Sequence, residues 1–130
     1  MVIDTSVLVA ILANEQEAEL FEAAMDADPV RLTSAASVLE TAIVAEARYG
    51  DIGGRELDLL LYKAEIQIVA VTPDQVDAGR RAFSTYGKGR HPAALNFGDC
   101  FSYALAKTSG EPLLFKGNDF SRTDVEIARL

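Results

Sequence analysis

The sequence predicts an α/β protein in which a parallel sheet is covered by helices on both faces. Short apolar runs alternate with longer segments whose apolar residues recur at three- and four-residue spacing, the pattern of strands alternating with helices. No repeat, linker or low-complexity stretch interrupts the 130 residues. The apolar content, 49%, and the charged content, 25%, are ordinary for a globular chain. One domain over residues 1–130 is expected, burying roughly two thirds of the surface its unfolded form exposes.

Each element has a local reason. Val2 and Ile3 make a short first strand, and Asp4-Thr5-Ser6 leads into Val7, Leu8, Val9, Ile11 and Leu12, a capped and buried helix. From Glu15 to Asp28 the apolar positions Ala18, Phe21, Ala24 and Met25 predict an amphipathic helix ending before Pro29. Val30 to Leu32 reads as a strand. Ser34 or Ser37 opens a long helix through Val38, Leu39, Ile43, Val44 and Ala47 to Gly50. Gly53-Gly54 punctuates before a helix through Leu57, Leu60, Leu61 and Ala64. Ile66 to Val71 is a β-branched strand, and Thr72-Pro73-Asp74 starts a helix that runs to about Tyr86. Lys88 to Phe97 reads as a loop, Gly98-Asp99 opens a helix through Phe101, Ala104 and Leu105, and Leu113 to Phe115 is the last strand.

Composition excludes several classes. No apolar run reaches the roughly 20 residues of a membrane helix, and the first strand begins at Met1 without a leader, so a cytoplasmic protein is expected. One cysteine, Cys100, and one histidine, His91, can build neither a disulfide framework nor a Cys/His zinc site, so any metal must be held by oxygen. The net charge of -8 argues against nucleic-acid binding by overall basicity. The charge is nonetheless uneven: no acid lies between Asp77 and Asp99, while Arg80, Arg81, Lys88, Arg90 and His91 do. That strip is either a solvated helix face or a surface for phosphates.

In open α/β sheets, ligands bind beyond the carboxyl ends of the strands. Asp4 and Asp119 fall at such ends, and Asp99 at a helix start facing the same edge. Each has a structural alternative: Asp4 and Asp99 as helix caps, Asp119 as a turn residue with Asp124 as its competitor. Glu40 sits in an apolar run, with Ala36, Ser37, Ile43 and Val44 as helical neighbours, where a carboxylate is costly to bury unless paired or ligated. The alternative is a solvent-exposed Glu40. Four carboxylates gathered without Lys or Arg repel one another, and a hard divalent cation is the expected compensation. Mg²⁺, with Mn²⁺ as a substitute, takes one or two carboxylates directly and keeps room for water and substrate phosphate.

These residues resemble the PIN domains, and among them the VapC-type toxins, over essentially the whole length. The resemblance rests on Val2-Ile3-Asp4-Thr5-Ser6, on Ser37-Val38-Leu39-Glu40, on Asn96-Phe97-Gly98-Asp99-Cys100 with Ala104-Leu105-Ala106, and on Leu113 through Phe120. It implies a three-layer α/β/α domain with a five-stranded parallel sheet and an antitoxin partner. It also implies an acidic constellation of Asp4, Glu40, Asp99 and Asp119, with Thr5 or Ser6 supplying a hydroxyl. Relatives commonly carry a threonine and a further aspartate where this chain has Phe115 and Gly117.

The mechanism expected is hydrolysis of RNA by metal-activated water, leaving a 5′-phosphate and a 3′-hydroxyl. Asp4 and Asp99 would hold Mg²⁺, Glu40 would orient water, Asp119 would assist, and Arg80, Arg81, Lys88 and Arg90 would position the RNA backbone. A homodimer is expected. The rivals are a non-catalytic interaction domain of the same fold and a phosphoacceptor receiver, for which Lys116 suits but Thr72-Pro73 stands where the phosphoacceptor should be. A His91–Cys100 nucleophile pair lacks a supporting motif.

Overall fold

Val2 and Ile3 form strand β1 in the computed structural model, which describes residues 1–130. Asp4 then turns the chain. Its backbone is extended (φ -78°, ψ 156°) while its carboxylate accepts the Ser6 N–H, so it caps helix α1 (Thr5–Leu12). Helix α2 (Ala18–Asp26), β2 (Leu32–Ser34), α3 (Ala35–Tyr49), α4 (Asp51–Lys63), β3 (Gln67–Val69), α5 (Pro73–Tyr86), α6 (Phe97–Ser109) and β4 (Leu113–Leu114) follow, with one 3₁₀ turn over Phe120–Arg122.

The element sequence matches the expectation, and the departures have local causes. Strand β2 lies two residues beyond Val30, and Ser34 rather than Ser37 caps α3 by accepting the Ala36 N–H. Gly50 ends α3 with φ 65°. Gly53 and Gly54 do not interrupt the chain but sit inside α4. A Cβ on Gly53 would collide with the Ala45 carbonyl, so the glycine is there to let α4 cross closely over α3.

The strands are all parallel, in the order β3-β2-β1-β4. The sheet therefore has four strands, not the five that the resemblance implies. Beside β4, where a fifth would lie, Leu113 N–H donates to Glu126 C=O (2.8 Å) and Ala128 N–H to Leu113 C=O (2.9 Å). That is one isolated parallel bridge, Leu113 with Ile127, and a single paired residue does not make a strand.

Successive strand residues face opposite sides of a sheet, and here they feed two separate cores. Ile3 and Leu114 pack with Val7 and Leu8 of α1, Phe21 and Met25 of α2, and Leu57 and Leu61 of α4. Val2 and Leu113 pack with Ala82 of α5, Tyr103 and Leu105 of α6, and Phe120. Helices thus cover both faces in three layers. The carboxyl ends of β1, β2 and β4 lie at one edge, where α1 and α3 also begin. No helix is long and apolar enough to cross a membrane.

Candidate active site

Asp4 is the innermost acid of that edge, 5% exposed. Its Oδ2 accepts from Ser6 N–H (3.0 Å) and from the Ser6 hydroxyl (2.7 Å), and its Oδ1 accepts from the Ser102 hydroxyl (2.5 Å). Ser6 Oγ in turn accepts the Lys116 backbone N–H (2.9 Å), which fastens the end of β4 to the start of α1. Thr5 Oγ1 donates instead to the Ser37 carbonyl (3.4 Å), joining α1 to α3.

Asp99 stands in the first turn of α6 as half of a capping box. Its Oδ2 accepts Asn96 N–H (2.9 Å), while Asn96 Oδ1 accepts Asp99 N–H (2.9 Å). One carboxyl oxygen is thereby engaged at the helix end and the other is not bonded to any protein donor. Burial drives the Asp99 carboxyl up to about 6; the Asn96 N–H opposes this, and the charges of Asp4, Asp119 and Glu40 reinforce it. Four acids therefore share one electrostatic neighbourhood.

Glu40 reaches the site from α3. Its carboxylate lies against Gly98 in the first turn of α6, where an added Cβ would meet Oε2 at 2.5 Å. The apolar run around it is not buried, contrary to expectation: Leu39 and Ile43 are 62% and 61% exposed and Glu40 is exposed with them. The face of α3 that packs inward is Ser37, Thr41 and Ala45, spaced by four, so this chain leaves Leu39 and Ile43 beside Glu40 uncovered. Asp119 is exposed just before the 3₁₀ turn and caps nothing.

No basic group sits among these acids. Lys116 directs its ammonium to Glu15 and Glu17, which raise its pKa. Asp124, the competitor of Asp119, accepts from the Tyr103 hydroxyl (2.5 Å) and Lys107 (3.2 Å), both of which are structural partners on α6. No three carboxylates close on one point as a ready-made metal cage. The donor set nevertheless fits a hard divalent cation taken by two carboxylates: oxygens only, one carboxyl raised by burial and further by its like-charged neighbours, and no cation between them.

Sequence reasoning missed Ser102 and Gly98. Ser102, fully buried, lies one helical turn beyond Asp99 on α6, and its Oγ is 3.4 Å from that of Ser37, one turn before Glu40 on α3. The available signal was the repeated serine three residues from an acid.

The basic strip lies on α5 and the loop after it. Arg80, Arg81, Lys88 and Arg90 are exposed, and none forms an ion pair within the chain. Arg90 stands 5.9 Å over the Phe83 ring. A groove of about 620 Å³ between α5 and α6 joins Arg80 and Phe83 to Phe97 and Cys100, beside Asp99. His91 is occupied structurally: its Nδ1 accepts Ala93 N–H and its ring packs edge-on against Tyr86. Cys100, its thiol pushed up by burial, donates to the Asn96 carbonyl, so the two form no nucleophile pair.

The PIN domain family model matches residues 1–126. The chain is 64% identical over 130 residues to ribonuclease VapC30 of Mycobacterium tuberculosis, covering all of this chain and 99% of that protein. It is 66% identical over 125 residues to a ribonuclease VapC of Mycolicibacterium smegmatis, covering 96% and 97%. Among solved structures its fold is similar to that of Mycobacterium tuberculosis VapC20, described as a sarcin-ricin loop cleaving toxin, with TM-score 0.77 and 18% identity over 95% of each chain. A toxin-antitoxin complex from Klebsiella pneumoniae gives TM-score 0.72 and 18% identity over 95% of this chain and 92% of that one.

Proposed function

The chain belongs to the PIN-domain family and, within it, to the VapC ribonucleases, and from that premise we propose how its own residues cut RNA. It is an endoribonuclease, the toxin of a toxin–antitoxin pair, acting as one domain over residues 1–130 in the cytoplasm. Asp4 and Asp99 would hold Mg²⁺, or Mn²⁺ in its place. When bound, the cation lowers the pKa of water and offsets charge on the phosphate under attack. Asp4 is held in place by the Ser6 and Ser102 donors around it. Asp99, engaged at one oxygen by Asn96, would have its other oxygen available to the cation. Glu40, exposed and resting on Gly98, accepts the proton of the attacking water and orients it toward phosphorus. Asp119 assists from the opposite loop, with Thr5 and Ser6 holding the local backbone. Arg80, Arg81, Lys88 and Arg90 receive the RNA backbone as a positioning surface.

The observation that carries this reading is the Asp99 carboxyl lifted by burial and three neighbouring acids with no base among them. Such a cluster is stabilised by a cation, and a phosphodiester is drawn to a protein of this charge through one. The antitoxin is expected to place an Arg or Lys in the same cluster, since a guanidinium or ammonium meets the same electrostatic demand. The uncovered apolar residues Leu39, Ile43, Phe97 and Val76 form the contact of a homodimer.

Purified, antitoxin-free protein incubated with total RNA, with and without Mg²⁺, tests the reading through the chemistry of the new ends. Ends with 5′-phosphate and 3′-hydroxyl, lost in EDTA, are expected. Cleavage that persists in EDTA and leaves 2′,3′-cyclic phosphate would overturn it.

A further inference from the structure

Helix α6 contains three serine and threonine residues after its first turn, and they behave differently. Thr108 and Ser109 bond back along the helix, donating to the Ala104 and Leu105 carbonyls four residues earlier (2.8 and 2.6 Å), the usual habit of a hydroxyl within a helix. Ser102 does not. Fully buried, it reaches out of α6 to Asp4 on the opposite side of the site, at 2.5 Å, with Ser37 Oγ at 3.4 Å behind it.

The consequence lies in the lone pairs of Asp4. An ionised carboxylate offers about four acceptor positions. Ser6 N–H and Ser6 Oγ fill those of Oδ2, and Ser102 fills one on Oδ1. What remains is a single direction on Oδ1, and the carboxylate cannot rotate to offer both oxygens without breaking a bond on each side. A ligand restricted in this way binds a cation through one oxygen only. Mg²⁺ and Mn²⁺, small and octahedral, accept such a ligand, whereas Ca²⁺ fills its larger shell with flexible and often bidentate carboxylates.

We propose that Ser102 is a positioning residue that, together with Ser6 on the other oxygen, locks Asp4 as a one-oxygen ligand and so makes the site prefer Mg²⁺ and Mn²⁺ over Ca²⁺. This rests on the reading of Asp4 as a metal ligand. Ser37 supports the lock by limiting where the Ser102 hydroxyl can turn. The hydroxyl acts through Asp4 and touches neither RNA nor cation.

Mn²⁺ binding measured by electron paramagnetic resonance, with Ca²⁺ as competitor and a thermal melt in EDTA alongside, tests this without reference to cleavage. Ser102→Ala should melt cooperatively and bind Mn²⁺ about tenfold more weakly, the low end of what removing a ligand's supporting hydrogen bond costs. Its Ca²⁺ affinity should change far less, so the Mn²⁺ over Ca²⁺ preference falls. A folded Ser102→Ala protein with wild-type Mn²⁺ affinity and wild-type preference would overturn the proposal. Should that variant fail to melt cooperatively, Ser37→Ala decides: it leaves the Ser102 hydroxyl in place but unsupported, and a smaller fall in the same preference is expected, with no change overturning the proposal. Wild-type protein that binds no Mn²⁺ would overturn the ligand reading itself, and the role of Ser102 with it.

Discussion

The carboxylate of Glu40 rests on Gly98, so closely that a Cβ on that glycine would come within 2.5 Å of Oε2 and 3.0 Å of Oε1. Gly98 lies in the first turn of α6 and its φ is not left-handed, so alanine suits the backbone and would favour the helix by up to about 1 kcal/mol. The Glu40 side chain, exposed and flexible, can move aside at little cost to folding. Gly98→Ala should therefore leave the melting temperature unchanged or raised while lowering kcat by about 10-fold or more, because a displacement of the order of an ångström at a reacting group is costly. Wild-type kcat in a folded Gly98→Ala protein would show that the position of Glu40 against α6 is irrelevant to cleavage.

That contact also marks where sequence reasoning stops. Asp4 and Asp99 were readable as candidates because each sits at an element boundary with its capping partner nearby in the chain, Ser6 for one and Asn96 for the other. A cap does not exclude a site: Asp99 uses one oxygen for its capping box, and the other has no protein donor. Glu40 was singled out for an imperfect reason. Apolar neighbours at helical spacing show that a face will be covered, but not whether the chain's own core or a partner covers it, and Leu39 and Ile43 are left bare by this chain. Ser102 and Gly98 matter only through residues on α1 and α3, contacts that no local pattern encodes. The fifth strand failed for a similar reason, since one Leu113–Ile127 bridge depends on how the carboxyl-terminal segment lies against the sheet edge.

Asp99 predicts an unusual pH dependence for metal-free protein. Its carboxyl is raised from 3.8 to about 6, so between those values the folded chain holds a proton that the unfolded chain has lost. Stability is then full below pH 3.8, falls as pH rises through the window, and stays lower above about 6. Discounted for the partial exposure of the carboxyl, the loss should be about 1 kcal/mol. Thermal melts in EDTA should show this decline, Mg²⁺ at about 100 times its Kd should add back about 2.7 kcal/mol above pH 6, and Asp99→Asn should flatten the decline while removing most cleavage. A metal-free Tm that rises from pH 4 to pH 7 by the same amount in wild type and Asp99→Asn would show that burial and the neighbouring acids do not hold the Asp99 carboxyl up.

Tyr103 and Asp124 should separate from the site. The Tyr103 hydroxyl donates to Asp124 at 2.5 Å, its own pKa is raised mainly by burial and the Asp124 carboxyl is held low mainly by that bond. Tyr103→Phe removes the bond without leaving a buried group unpartnered, and should cost about 1 kcal/mol. Mn²⁺ affinity should stay at the wild-type value in Tyr103→Phe and in Asp124→Asn, while Asp119→Asn should weaken it. Equal losses in Asp124→Asn and Asp119→Asn would bring Asp124 into the metal site.

The basic strip makes its prediction through salt. Arg80, Arg81, Lys88 and Arg90 are exposed and unpaired, whereas Lys107 on the neighbouring helix is tied to Asp124. If the four meet RNA phosphates, each releases counterions, and each replacement by Ala should reduce the slope of log affinity against log salt by roughly 0.7, the value for a single strand. The measurement suits Asp99→Asn protein, which binds without cutting, titrated with labelled single-stranded RNA across a salt series. Arg90→Ala should lose slightly more than its charge, because its guanidinium also covers Phe83 at 5.9 Å. Lys107→Ala is the control: its ammonium already answers a carboxylate, so the slope should not move. Were Lys107→Ala to lower the slope as much as Arg80→Ala, the RNA path would have to run over the Asp124 side of α6, away from the α5 groove that leads to Asp99.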